Sequence, residues 1–171
     1  KLHDRAINNI NDTKQTFAGD NQVVGSNNFI HTLEASYDTH ENPSFSDRGE
    51  MLSLAYLTSL AKLGSDFTFQ GYDLKGKLTR SLGSKRFTTV IFAKLSQRFG
   101  NTIPFYHQNQ LGGEKELRAF VKGRFTGRHS LLFDIEERIE IHQWTILNTK
   151  VALSLDPFFS IGQVFNDFSE I

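Results

Sequence analysis

Apolar and polar side chains alternate with a period of two along most of the chain beyond residue 28. In the clearest stretch, the apolar row is Leu131, Phe133, Ile135, Ile139 and Ile141. The row between them is Leu132, Asp134, Glu136, Arg138 and Glu140. Successive side chains of a β-strand point to opposite faces, so this period is typical of strands with one apolar and one polar face. We therefore predict strands at residues 28–38, 49–61, 66–80, 86–99, 129–142 and 149–166, and leave open one more in the first 27 residues.

The predicted strands are long, and one of them carries a row of charges. They run to about 10–13 residues, whereas strands of globular proteins usually have about 5–6 and tilted membrane-spanning strands about 9–11. In a soluble sandwich, the charged row at residues 134–140 would face water. In a membrane β-barrel it would face a wet lumen, while the apolar row faces lipid. Both architectures are all-β and antiparallel, and the strand length favours the membrane barrel.

Two segments fall outside the strand pattern. Residues 1–27 are polar and rich in Asn, Asp and Gln, which predicts a loop or irregular segment ahead of a barrel domain at residues 28–171. The connection from residue 100 to about residue 129 contains five glycines and has charges throughout. A connection of that length in a compact domain is usually functional or disordered.

Composition narrows the classes of function. Lys and Arg number 19 and so do Asp and Glu, so the formal net charge is zero. A neutral chain gives no electrostatic case for nucleic acid as the partner. The chain has no cysteine, which excludes disulfides, thiolate catalysis and cysteine-ligated metals within it. No apolar run approaches the roughly 18–20 residues that a transmembrane helix needs.

The sequence offers no motif for covalent chemistry. Serine is plentiful, but the Gly-x-Ser-x-Gly turn of many hydrolases does not occur. The six histidines show none of the close spacings typical of metal ligands. Glu136 and Glu140 would suit a pair of catalytic carboxylates, but a solvated strand face explains them more simply. We therefore expect no enzymatic activity, no cofactor and no metal site.

Four stretches, in a fixed order over residues 37–165, resemble one known family. The first, YDTHENPSFSDRGEMLSL at residues 37–54, resembles the strand–loop–strand signature of the BamA/TamA-type bacterial surface-antigen family. The second, LGSDFTF at residues 63–69, leads into a further strand. The third, IPFYHQNQLGGEKELRAFVKGRF at residues 103–125, resembles the long loop of that family. The fourth, DPFFSIGQVF at residues 156–165, is similar to its Pro-Phe-x-Asp-x-Gly-x-Val-Phe strand.

The resemblance implies a fold and a set of site residues. The family fold is a 16-stranded outer-membrane barrel whose long loop folds back into the lumen, where the arginine at the loop tip contacts acidic groups on the barrel wall. On this chain, the matching loop residues are Gly112, Gly113, Arg118 and Phe120. The matching wall residues are Ser160 and Gly162, and the charged row of the strand after the loop adds Asp134, Glu136 and Arg138 as candidate wall contacts. About seven strands fall short of sixteen, so we expect the C-terminal half of such a barrel, with a fragment and a small eight-stranded barrel both left open.

Three positions depart from the family pattern. His40 stands where arginine is usual. Ala119 replaces a glycine at the loop tip, and if that position needs a positive φ, the alanine is strained at a cost of about 1 kcal/mol. Ser160 stands where the family carries aspartate, and its hydroxyl cannot form an ionic contact with Arg118. Because Asp134 and Glu136 lie on the strand after the loop, we expect Arg118 to pair with one of them.

The function that the resemblance implies is the assembly, insertion or translocation of other proteins at the bacterial outer membrane. The expected partners are outer-membrane lipid and protein clients or assembly partners, with a homo-oligomer left open. Two alternatives remain at this point. One is the barrel domain of a patatin-like lipase outer-membrane protein, whose lipase domain would precede the barrel. The other is a soluble antiparallel β-domain that binds a ligand or a protein.

Overall fold

A computed structural model describes residues 2–7, 27–41, 46–81, 83, 86–147 and 149–170 of the chain. In this part of the chain, the regular elements are β-strands and short 3-10 helices. The strands are β1 (Leu2–Ile7), β2 (Asn28–Asp38), β3 (Arg48–Ser59), β4 (Phe69–Ser81), β5 (Phe87–Phe99), β6 (Asn109–Leu111), β7 (Phe125–Gly127), β8 (His129–Ile146), β9 (Thr149–Leu155) and β10 (Phe158–Phe165). The 3-10 helices are Ala61–Leu63, Phe105–His107 and Phe168–Glu170.

Most strands form one antiparallel sheet in the order β1-β2-β3-β4-β5-β8, with β9 and β10 both beside β8. β10 pairs with the first half of β8, from Phe165 opposite His129 to Phe158 opposite Glu136. β9 pairs with the second half of β8. Asp156 and Pro157 separate the two, and the carbonyl oxygen of Pro157 accepts a hydrogen bond from the Glu137 amide at 3.0 Å. β9 and β10 therefore act as one edge strand, interrupted where proline has no N–H to donate.

The structure confirms five of the six strands predicted from the alternation, with shifts at some ends, and divides the sixth, predicted at residues 149–166, into β9 and β10. β4 begins three residues later than predicted because residues 60–68 form a compact turn. In that turn the side chain of Asp66 accepts a hydrogen bond from the Asn27 amide at 2.6 Å. β8 continues to Ile146 because it pairs with β9 there, so Trp144 lies in a strand, although the predicted strands end at residue 142 and resume at residue 149.

The first 27 residues contain a strand, the alternative that the sequence left open. β1 pairs with β2 from Leu2 opposite Leu33 to Ile7 opposite Asn28. That part of the segment is not a loop. Residues 8–26 lie outside the described part of the chain, and the division into two domains at residue 27 stays a prediction.

The sheet has its apolar rows exposed and its polar rows covered. On β8, Leu131 and Phe133 are 49% and 41% exposed, whereas Ser130 and Asp134 are 1% and 8% exposed. The cross-strand register places the apolar rows of neighbouring strands on one face, with Leu54 opposite Leu74 and Leu74 opposite Leu95. Further exposed members of this face are Leu33, Tyr37, Leu52, Tyr72, Leu78, Phe159 and Ile161. An antiparallel sheet of a water-soluble protein normally covers its apolar face, so this arrangement is the reverse of the soluble one.

The two ends of the sheet differ in their connections. At one end, which we call the loop end, residues 60–68 join β3 to β4 and residues 100–128 join β5 to β8. At the opposite end, which we call the turn end, residues 39–47, 82–86 and 147–148 make the connections, and none of them is longer than residues 60–68. No α-helix in the described ranges is long and apolar enough to cross a membrane.

Candidate functional site

The long connection of residues 100–128 is an ordered hairpin rather than an irregular loop. β6 and β7 form its two-stranded stem, with Asn109 opposite Gly127 and Leu111 opposite Phe125. The side-chain amide of Asn109, which is 6% exposed, donates to the carbonyl oxygen of Arg128 at 2.7 Å. This bond fixes the base of the hairpin where the chain enters β8. We call residues 109–127 the docked loop.

Two glycines let the docked loop turn back on itself. Gly112 and Gly113 have φ values of 109° and 125°. A Cβ atom at residue 112 would lie 2.4 Å from the carbonyl oxygen of Val121, closer than real Cβ atoms come. The amide of Gly113 donates to the carbonyl oxygen of Phe120 at 3.0 Å. Both predicted loop glycines are therefore required by backbone conformation, since side chains other than hydrogen are strained there.

The underside of the docked loop is apolar and packs on the covered face of the sheet. Leu111 and Leu117 of the loop are 0% and 7% exposed, and they form a cluster with Leu132 of β8, which is 1% exposed. Phe92, Phe125 and Val164 pack around this cluster. A Cβ atom at Gly162 of β10 would lie 3.1 Å from the Leu111 side chain. Gly162 therefore gives the loop room to lie close to the sheet.

Arg118 reaches from the loop tip to both acidic side chains that the sequence offers as partners. Its Nη2 atom donates to Glu136 Oε2 and lies 3.4 Å from Asp134 Oδ2. The guanidinium also lies over the ring of Phe158, 4.5 Å from the ring centroid. The Arg118 side chain is 31% exposed, and those of the two acids are 11% exposed. The contacts are thus screened by solvent less than a fully exposed ion pair would be.

The two acids have further partners that hold them in place. Glu136 Oε1 accepts a hydrogen bond from Arg138 Nε at 2.8 Å. Asp134 Oδ1 accepts one from the hydroxyl of Ser160, which stands directly opposite it on β10. The Ser160 hydroxyl carries no charge and forms no ion pair with the guanidinium of Arg118. It binds the carboxylate that does, so the negative charge lies on β8 rather than on β10.

Two other sequence expectations meet different outcomes. The left-handed residue at the loop tip is Leu117, with φ of 51°, and Ala119 does not adopt a positive φ. The strain considered for Ala119 therefore does not arise. Phe120 is 45% exposed and packs edge-on against Phe125, with 5.0 Å between ring centroids. It supports the loop's own fold rather than the charge network.

His40, the residue in place of the usual arginine, packs at the turn end on the same side of the sheet. Its Nδ1 atom lies 2.6 Å from Asp38 Oδ1 and its Nε2 atom lies 3.0 Å from Thr79 Oγ1. A Cβ atom at Gly49 would lie 2.5 Å from the imidazole ring. Gly49, the second residue of β3, is therefore needed because the His40 ring covers it.

A second ion pair of the docked loop was not predicted from the sequence. Lys94 Nζ of β5 lies 2.7 and 3.0 Å from the two carboxylate oxygens of Glu116. The signal available was the position of Lys94 on the polar row of β5. Its proximity to Glu116 depends on how the loop folds, which the alternation does not reveal. Among the described residues, no three His, Asp or Glu side chains are placed to hold a metal ion.

A comparison with known protein families finds a match over most of the chain. The family model described as the Omp85 superfamily domain matches residues 2–169. No curated protein matches the chain. The matched range spans every strand of the sheet and the docked loop.

Proposed function

This chain belongs to the Omp85 superfamily, and from that premise we propose that it supplies the later strands of a BamA/TamA-type outer-membrane β-barrel. The barrel would assemble, insert or translocate other proteins at the bacterial outer membrane. Its partners would be outer-membrane lipid and unfolded protein clients. No covalent step and no cofactor enters this proposal.

The observation that carries the proposal is the reversed sheet. Leu33, Leu52 and Leu54 are each more than half exposed, while Ser53 and Ser59 on the opposite face are 5% and 0% exposed. Each buried methylene contributes about 0.8 kcal/mol, so leaving such rows in water would be costly across a whole sheet. Lipid removes that cost. The same arrangement puts the charged row of β8 where a barrel would have its lumen.

A row of aromatic rings at the loop end indicates how the sheet is oriented in the membrane. Neighbouring ring centroids in this row lie between 5.2 and 6.3 Å apart. The row runs across the sheet through Tyr56, Tyr72 and Phe99, and continues to His129 and Phe165, which are buried. Outer-membrane barrels carry aromatic girdles at the membrane interfaces and have their longer loops on the extracellular side. We infer that the loop end faces the cell exterior and the turn end the periplasm.

The docked loop would lie inside the lumen and fix the inner wall. Its apolar cluster and the Arg118 contacts join the loop to β8 and β10, in addition to the hydrogen bond between Ser160 and Asp134 that links these two strands directly. A wall held in this way can keep its shape while other strands open towards a client. Arg118 would hold the loop on the wall through its charge and would take part in no chemical reaction.

Insertion of a client in a reconstituted system tests the function. The full-length protein would be placed in vesicles of bacterial outer-membrane phospholipids, and the folding of an added unfolded outer-membrane protein followed by its gel shift. We expect faster folding than in protein-free vesicles, and a slower rate with R118A because the loop loses its contacts. Client folding no faster than in protein-free vesicles, although the protein itself migrates as a heat-modifiable barrel, would contradict the proposed function and leave the barrel standing.

A further inference from the structure

The tip of the docked loop carries two opposite charges on either side of a buried leucine. Glu116 and Arg118 flank Leu117, which is 7% exposed and lies in the apolar cluster. The Glu116 carboxylate contacts Lys94 through both oxygens, at 2.7 and 3.0 Å. Arg118 contacts the acids of β8. The tip therefore has a negative and a positive contact, made to two different strands.

The wall beneath the tip carries the complementary charges in a fixed order. In the register of β5 and β8, Lys94 stands opposite Leu132 and Phe92 stands opposite Asp134. The cation of β5 and the nearer anion of β8 are thus diagonal neighbours on the covered face. A tip turned the other way would bring Glu116 against Asp134 and Arg118 against Lys94. Like charges in contact repel, so only one orientation is favourable.

The ion pair of Lys94 and Glu116 is buried enough to contribute to the position of the loop. The side chains of Lys94 and Glu116 are 16% and 25% exposed, compared with 38% and 56% for Arg80 and Glu50, an exposed pair at the turn end. Solvent screens the more buried pair less. A covered ammonium without its carboxylate would also lose solvation that nothing replaces.

We propose that Lys94 and Glu116 are positioning residues, which form a second anchor that sets the orientation of the loop tip across β5 and β8. The anchor acts together with the Arg118 contacts but on another strand. It requires only that the loop lies on the covered face, so it holds whether or not the barrel handles protein clients.

Cleavage of the native loop by chymotrypsin tests this anchor. Chymotrypsin cuts after Leu and Phe, so the bond after the buried Leu117 reports whether the tip is seated. K94E leaves the sequence around that bond unchanged, and each rate is divided by that of the same denatured variant because residue 116 adjoins Leu117. The full-length protein in membranes would be compared with K94E, E116K and the exchanged pair K94E/E116K, with cut positions identified by mass spectrometry. We expect each single reversal to speed the cut about tenfold, within the range of coupling between contacting residues. The exchanged pair should return to within about threefold of the parent.

Lys122→Glu is the matched control, because Lys122 is an exposed residue of the same loop. It reverses the same charge and should leave the rate unchanged. Heat-modifiable migration on a gel checks that each barrel has folded. If K94E does not fold, E116K still tests the proposal, because it changes a residue of the loop and none of the strands. Single reversals that cut no faster than K122E would overturn the proposal, as would an exchanged pair that cuts as fast as the single reversals.

Discussion

At the scale of single residues, the loop contact depends on where one carboxylate lies. The alternation on β8 places Asp134 and Glu136 on one face, and this was enough to offer both as partners of Arg118. It could not reveal the hydrogen bond between Ser160 and Asp134. That bond depends on the register of β8 and β10, which is set by the path of the chain through residues 137–157 and not by the pattern of either strand. The departure from the family at residue 160 is thus explained only by the folded sheet.

Exchanging the side chains of Asp134 and Ser160 should preserve the contact with Arg118. D134S alone removes one acceptor of Arg118 and should speed cleavage after Leu117, while D134S/S160D returns a carboxylate to the opposite position one strand away. We expect the double variant to cut more slowly than D134S, by several-fold, since contacting residues couple by about 0.5–3 kcal/mol. S160D alone is the control and should cut faster than the parent, because two facing carboxylates repel. Additive effects of the two substitutions would contradict the exchange.

At the scale of elements, the docked loop shows what the sequence could and could not predict. The length of the connection and its glycines predicted a functional loop. They did not predict the β6–β7 stem, because three-residue strands carry too little alternation to be recognised. The left-handed Leu117 was equally hidden, since no local residue preference favours a leucine there.

Gly112→Ala should unseat the docked loop. Its φ of 109° and the 2.4 Å approach of the Val121 carbonyl oxygen both exclude a Cβ atom. We expect a loss of about 1–3 kcal/mol in the free energy of unfolding, the usual cost of a strained backbone. Gly76→Ala is the matched control, because a Cβ atom there meets nothing within 4 Å. Denaturant unfolding in detergent measures both, and equal losses for the two variants would contradict the assignment.

The short helix Phe105–His107 should make the loop end sensitive to acid. Burial, and then the nearby charge of Arg98, lower the pKa of His107 below its ordinary value of 6.5. Its ring lies 5.0 Å from that of Phe69. The unfolded chain therefore binds a proton more readily, so His107 contributes stability above about pH 6.5 that is lost as the pH falls through this value towards the folded-state pKa. H107Q should remove this component of the pH dependence, measured by thermal unfolding between pH 5 and pH 8; an unchanged pH profile would count against it.

For the molecule as a whole, the alternation of apolar and polar residues was enough to predict the strands of the sheet and to assign each side chain to one of its two faces. Strand positions and the side of each apolar row could be read from the sequence because the period of two is a property of the backbone. Which face is covered could not, since the same pattern suits a soluble sheet with its apolar face inside. The docked loop decides this by covering the polar face at Leu132 and Asp134. The apolar face is then exposed to the surrounding medium. For a member of the Omp85 superfamily, that medium is the lipid of a membrane.

Nitroxide scanning of β8 tests the lipid-facing sheet most directly. Single cysteines would be placed at residues 130–136 of the full-length protein in membranes, with no other cysteine present, and each spin label probed with oxygen and with a water-soluble nickel complex. We expect high oxygen and low nickel accessibility at residues 131, 133 and 135, alternating with low accessibility to both probes at residues 130, 132, 134 and 136. High nickel accessibility at residues 131, 133 and 135 would place the apolar face in water and contradict a lipid-facing sheet.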